Sequence, residues 1–136
     1  RVRPAATDAL ALPFRNGEFD VATVGFGIRN VADLDAGLLE IGRVIRSGSR
    51  LVILEFTTPP RQPLRGLYLT YFRHILPAVG RLVSKHTNAY DWLPASVLAF
   101  PEPAELAARF AAAGFEDVTW STRFGGIVAI HVGRRS

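Results

Sequence analysis

An arginine followed by an asparagine, Arg29-Asn30, stands in the loop sequence Phe26-Gly27-Ile28-Arg29-Asn30-Val31, directly after the apolar stretch Asp20 to Phe26. A guanidinium stays protonated, so Arg29 is a donor to a developing oxyanion or to a water that takes up a proton, and it is a poor free base. Asn30 can hydrogen-bond the same oxygens or cap the loop. Ligands of open α/β sheets sit beyond the carboxyl ends of strands. We therefore read Arg29 and Asn30 as the candidate catalytic pair, with a structural loop role as the alternative.

Other side chains offer less. Glu55 ends a second apolar stretch, where it can join a site, cap a helix or pair with an arginine. Asp20, at the start of a strand, reads as a turn-forming structural residue. His131 alternates within a strand and reads as a packed or hydrogen-bonded histidine. His74 and His86 have no third ligand near them, so no metal site is expected. Tyr90 and Trp92 either line a pocket or pack a loop.

The elements that must position these residues alternate between strand and helix. Asp20 to Phe26 has the β-branched density of a buried strand. A helix capped by Asp33 or Asp35 should follow, burying Leu34, Leu38, Ile41 and Ile45, with Gly48 placed to stop it. Arg50 to Phe56 reads as a strand buried on both faces. Leu64 to Lys85 is a long amphipathic helical pattern with a kink expected at Pro77. It serves either as a core-facing helix or as a lid or membrane-resting face. Thr87 to Pro101 reads as a loop. Pro103 and Gly114 frame a short helix, and Asp117 to Ser121 and Gly126 to Val132 read as a hairpin around a glycine-rich turn.

Composition narrows the function. With 136 residues, 49% of them hydrophobic, the chain fits one domain with a real core. No run approaches roughly 18 apolar residues, so no transmembrane helix is expected. There is no cysteine for disulfides or thiolate metal sites. The net charge of +4 is spread along the chain, a weak signal for nucleic acid, and no nucleic-acid partner is expected. The chain begins with Arg, contains no Met, and has no glycine-rich strand-to-helix turn before residue 25. These features are expected of a piece of a longer protein. A dehydrogenase reading finds neither a GxGxxG loop nor a Tyr-x-x-x-Lys pair.

Several runs, in order, resemble one family. Asp8-Ala9 precedes Leu12-Pro13-Phe14; FGIRNV, RVIRSGSRLVILEF, the YxxYFRxIxPxxGxL pattern from Tyr68, Tyr90-Asp91-Trp92-Leu93, FPEPAEL and GIVAIHVG follow. Together they resemble the quinone C-methyltransferases of menaquinone and ubiquinone synthesis over essentially the whole chain, leaning toward the menaquinone type. Ser47 and Ser49 depart from the family's Pro and Gly, and Leu10 from its Glu or Met.

The resemblance implies an α/β fold: the carboxyl-terminal part (1-136) of a single Rossmann-like class I methyltransferase domain, its sheet ending in an antiparallel hairpin and its first strands absent. It implies S-adenosyl-L-methionine as cofactor, contacted here by Asp8, Ala9 and Gly25. The substrate implied is a polyprenyl quinol, with demethylmenaquinol to menaquinol the leading reaction. A cytoplasmic protein in transient contact with the inner face of the membrane is expected, and a homo-oligomer is compatible with it. The alternative is a non-catalytic remnant or partner-dependent module of the same fold. Without preceding strands, Asp20 to Phe26 would be an exposed apolar edge, and the isolated chain is expected to self-pair, aggregate or fold only in part.

Overall fold

The computed structural model describes residues 4–76, 78 and 88–136, with the side chains of 88–91 left aside. In chain order come β1 (Phe19–Gly25), a 3-10 turn (Ile28–Asn30), α1 (Leu34–Val44) and β2 (Ile45–Phe56). Next are α2 (Leu64–Thr70), which runs into a π turn at Tyr71–Ile75, then α3 (Asn88–Ala99) and α4 (Pro103–Ala112). β3 (Phe115–Arg123), a 3-10 turn (Phe124–Gly126) and β4 (Val128–Arg135) close the chain. The sheet order is β1-β2-β4-β3; β1 is parallel to β2, and β4 is antiparallel to both its neighbours. A mixed α/β fold with a terminal antiparallel hairpin is thus present, as the sequence suggests.

Local chemistry explains most boundaries. The Asp33 carboxylate accepts the Ala36 N–H at 3.0 Å and starts α1, satisfying one of the donors a helix leaves unpaired. Asp35, in its first turn, pairs instead with Arg109 of α4. The helix stops at Val44, earlier than Gly48 suggested, and Ile45 is already extended. Gly48 lies inside β2 with φ +80°, where the β1–β2 register breaks between Phe19 and Val21. Its left-handed backbone bends the strand and does not cap the helix.

One sheet face carries the main core. Leu51 and Ile53 of β2 pack with Leu38 of α1, and with Leu106 and Phe110 of α4, all at most 1% exposed. The alternate residues Val52, Leu54 and Phe56 are only half-buried, so the expectation of a strand buried on both faces holds for one face. Among the described residues β1 pairs only with β2, and its Val21 is 54% exposed. That strand forms one edge of the described sheet.

Two further departures concern the helices. The expected loop from Thr87 to Pro101 is, over Asn88–Ala99, a helix that contains Pro94. An interior proline ordinarily costs a helix about 3 kcal/mol; here Leu93 and Val97 pack with Tyr68 and Phe72, and that tertiary burial offsets it. The kink expected at Pro77 lies outside the described residues. The described part of that segment changes from α to π geometry at Tyr71.

Candidate active site

The carboxyl end of β1 turns sharply into the loop that carries the candidate pair. Phe26 continues the ladder through its N–H to the Leu54 carbonyl at 2.8 Å, yet adopts φ +54°. A bulky residue in the left-handed region costs on the order of 1–3 kcal/mol, and such strain clusters at functional sites. The turn aims the Phe26 carbonyl at Arg29, whose Nη1 donates to it at 2.6 Å.

Arg29 is nearly enclosed. Its Nη1 also donates to Oε1 of Glu55 at 2.6 Å, in an ion pair whose side chains are 10% and 1% exposed. Nε donates to Ser96 Oγ of α3 at 3.3 Å, and the guanidinium carbon lies 5.7 Å from the centre of the Phe56 ring. Among the described residues no group engages Nη2, so two N–H donors are left. With Glu55 neutralising it, Arg29 acts there as an oriented donor and not as a bare positive charge.

Asn30 is fixed from the same helix. Trp92 Nε1, which can only donate, reaches Asn30 Oδ1 at 3.0 Å. The amide orientation follows, and among the described residues the NH2 group has no partner. Arg29 and Asn30 are therefore adjacent, both tied to α3, and both left with hydrogen-bond donors. Such a pair suits an electron-rich oxygen, above all one gaining negative charge.

Aromatic surface surrounds them. Phe26 stacks obliquely on Phe56 at 4.6 Å, and Trp92 remains 62% exposed. A cleft of about 290 Å3 is lined by Arg29, Trp92, Ala95, Ser96, Ala99 and Phe100. A flat ring bearing oxygens matches this mixture of apolar wall and donors.

The other sequence candidates fall in separate places. Gly25 ends β1 beside open space, with no atom within 4 Å of where a Cβ would stand. Ala9 lines an apolar groove of about 310 Å3 with Leu12, Phe14 and the β1 residues Val21 to Val24. Asp8 is exposed; its Oδ1 accepts the Leu10 N–H at 2.9 Å and its other oxygen has no described partner. Asp20 pairs with Arg46. His131 is buried, its Nε2 donates to the Pro103 carbonyl at 2.9 Å, and burial lowers its pKa. His74 is exposed on the π turn, while His86 and the side chain of Tyr90 lie outside the described residues.

Comparison with known proteins decides the family. The pattern of the ubiE/COQ5 methyltransferase family matches residues 1–135. The chain belongs to that family. It is 47% identical over 135 residues to a demethylmenaquinone methyltransferase from Mycolicibacterium vanbaalenii, covering 99% of this chain and 59% of that protein. A demethylmenaquinone methyltransferase from Thermus thermophilus is 48% identical over 134 residues, 98% of this chain and 60% of its own length. The chain thus spans about three-fifths of the curated relatives it matches. Among solved structures, a SAM-dependent methyltransferase from Thermotoga maritima superposes with a TM-score of 0.64 at 16% identity, covering 94% of this chain and 61% of that one. The phosphoethanolamine N-methyltransferase 2 of Haemonchus contortus, in complex with S-adenosyl-L-methionine, gives 0.63 at 11% identity, over 94% and 36% of the two chains. These two likenesses concern the fold.

In this ubiE/COQ5 chain the residues that sequence reasoning missed are those that hold the pair. Nothing local distinguishes Ser96, and Glu55 reads equally as part of a site, a cap or an ion-pair partner. Both answers depend on contacts 67 and 26 residues away in the chain. The usable signal was the strand-end position of Glu55, with an arginine at the neighbouring strand end.

Proposed function

We propose that the full-length protein carrying this chain transfers a methyl group from S-adenosyl-L-methionine to a ring carbon of a polyprenyl quinol, with demethylmenaquinol the leading substrate. The observation that carries this reading is the unspent donor capacity of Arg29 and Asn30 beside an aromatic-lined cleft at the carboxyl end of β1. Donation to a quinol oxygen favours its deprotonated form and enriches the neighbouring carbon in electrons. Phe26 and Trp92 offer flat surfaces to orient the ring. A guanidinium is a poor base, so the ring proton leaves to a water or to solvent.

The residues present fit one side of the cofactor. The open space at Gly25 admits close approach of a ligand to the strand end. Ala9 offers an apolar wall, and Asp8 keeps a carboxylate oxygen for an amino or hydroxyl donor. When bound, the cofactor supplies an electrophilic sulfonium methyl. What these residues contribute is position and exclusion of water.

Among the described residues no helix is long and apolar enough to cross a membrane. On this reading the protein works in the cytoplasm and meets its lipid-soluble substrate at the inner membrane face. Incubating the full-length protein with S-adenosyl-L-methionine and a short-tailed demethylmenaquinol tests it. Methyl transfer to the ring is expected, with Arg29→Ala lowering turnover more than cofactor affinity. Undiminished turnover in that variant would take Arg29 out of the mechanism, and absence of transfer by the native protein would favour a non-catalytic member of the fold.

A further inference from the structure

The segment from Thr57 to Tyr90 contains no Asp or Glu, although the chain has 12 carboxylates, and it carries Arg61, Arg65, Arg73, Arg81 and Lys85. Within it, α2 and the π turn are apolar on two sides. Tyr68 and Phe72 are buried against α3, as a core-facing helix requires. Leu67, Tyr71 and Ile75, spaced four residues apart on a different side, are 67%, 44% and 48% exposed. A helix that merely covers a core presents polar residues there.

The stripe has neighbours of the same kind. Gly125 approaches the Leu64 side chain so closely that an added Cβ would lie 2.4 Å from it, which sets the Phe124–Gly126 turn against the start of α2. Phe124 on that turn is 78% exposed. Arg61, Arg73 and Arg123 are exposed and Arg65 half-exposed; among the described residues none of the four forms an ion pair. Elsewhere among the described residues Arg29, Arg43, Arg46, Arg109 and Arg134 are paired with carboxylates, while Arg15, Arg50 and Arg135 are not, so what marks this face is unpaired arginines beside an exposed apolar stripe.

We infer that this face, the Leu67-Tyr71-Ile75 stripe with Phe124 and the arginines around it, docks on an anionic phospholipid surface. Aliphatic and aromatic side chains sink into the headgroup boundary while arginines meet lipid phosphates, the division of labour of interfacial helices. A second copy of the chain fits worse, because a two-fold contact would set the arginines of one carboxylate-free segment against those of another. Nucleic acid would leave the aliphatic stripe without a partner. The inference rests on the reading of a lipid-soluble quinol for its purpose, since it brings the substrate's solvent to the helix that packs on α3.

The test uses the full-length protein and sedimentation with phosphatidylglycerol-phosphatidylcholine vesicles. Native protein should partition onto anionic vesicles and far less onto pure phosphatidylcholine. Leu67→Ser with Ile75→Ser should weaken partition roughly tenfold, and each of Arg65→Ala and Arg73→Ala about fivefold. A fluorophore on Leu67→Cys should shift to the blue only with anionic vesicles. Equal binding to both vesicle types, or unchanged partition by the variants, overturns the inference. A label already shielded without vesicles shows that the rest of the polypeptide covers the face. A variant that alters oligomeric state but not partition marks it as a contact between copies. Either result also overturns the inference. Methyl transfer to a short-tailed soluble quinol should persist in the Leu67 and Ile75 variants, so failure of the catalytic reading registers in that assay and failure of the docking face in the vesicles.

Discussion

Two arginines in this chain each hold a glutamate and a backbone carbonyl, and they differ in what they leave unused. Arg43 donates from Nε and Nη2 to the two oxygens of Glu40, and from Nη1 and Nη2 to Phe14 O, Asn16 Oδ1 and Leu12 O. All of its donors are spent, and they fasten the Leu12 to Asn16 segment to α1. Arg29 spends Nε and Nη1 on Ser96, Phe26 and Glu55 and, among the described residues, keeps Nη2. A guanidinium whose donors are exhausted is a rivet. One held rigidly with two donors to spare is prepared for a ligand, because its orientation is already fixed before the ligand arrives.

The strongest way to break the contrast is to remove Glu55. Glu55→Ala leaves the Arg29 charge enclosed without its partner, and losing one member of a buried pair costs about 3–5 kcal/mol. Denaturant unfolding of the full-length protein should show that loss, and Arg29→Met together with Glu55→Leu should recover most of it. A loss under 1 kcal/mol for Glu55→Ala would mean that water reaches the pair and that Arg29 is not held as described. Next in size is Arg29→Lys. Lysine can still meet Glu55, but it cannot present a second nitrogen from a fixed fork. Turnover should fall about a hundredfold, the loss typical of an oxyanion-stabilising donor, with cofactor affinity preserved. Equal turnover would show that charge alone suffices.

Why the two arginines look alike in sequence is instructive. The Arg29-Asn30 loop was legible because strand, glycine and loop are adjacent, and the end of a strand is where this architecture places ligands. Asp33 as a cap, the Pro103 and Gly114 frame of α4 and the terminal hairpin were legible for the same local reason. Glu55 was not, since its role is decided by a loop 26 residues away. Nor was α3: Pro94 and Pro101 speak against a helix locally, and only packing of Leu93 and Val97 on Tyr68 and Phe72 outweighs them. With α3 read as a loop, the Ser96 and Trp92 contacts that orient the pair had no visible origin. Gly48 misled in the opposite direction, because a left-handed glycine serves a strand bend as readily as a helix end.

The rivet should respond to acid. Hydrogen bonds from Arg43 hold the Glu40 carboxyl down at about 2, against an ordinary 4.5. A carboxyl whose pKa is depressed by folding contributes stability that is complete above its unfolded value and is lost as pH falls from about 4.5 through about 2. Stability measured across that window should decline in the native protein, and part of the slope should vanish in Glu40→Gln. Arg43→Ala should lower stability less than Glu55→Ala does, with turnover at saturating cofactor and neutral pH unchanged. A large turnover loss in Arg43→Ala would erase the distinction between the two arginines.

The finest test concerns how firmly Asn30 is aimed. Trp92→Phe keeps a large ring on the cleft wall and deletes only the N–H that engages Asn30 Oδ1. A single such hydrogen bond contributes about 0.5–1.5 kcal/mol, so turnover should drop roughly two- to tenfold as the amide regains the freedom to flip. Removing the amide should make that loss irrelevant: on an Asn30→Ala background, Trp92→Phe should cost little more. The double variant separates two roles for the indole. If Trp92→Phe costs the same with and without Asn30, the indole acts on the substrate directly, and the donor pair is oriented by something other than α3.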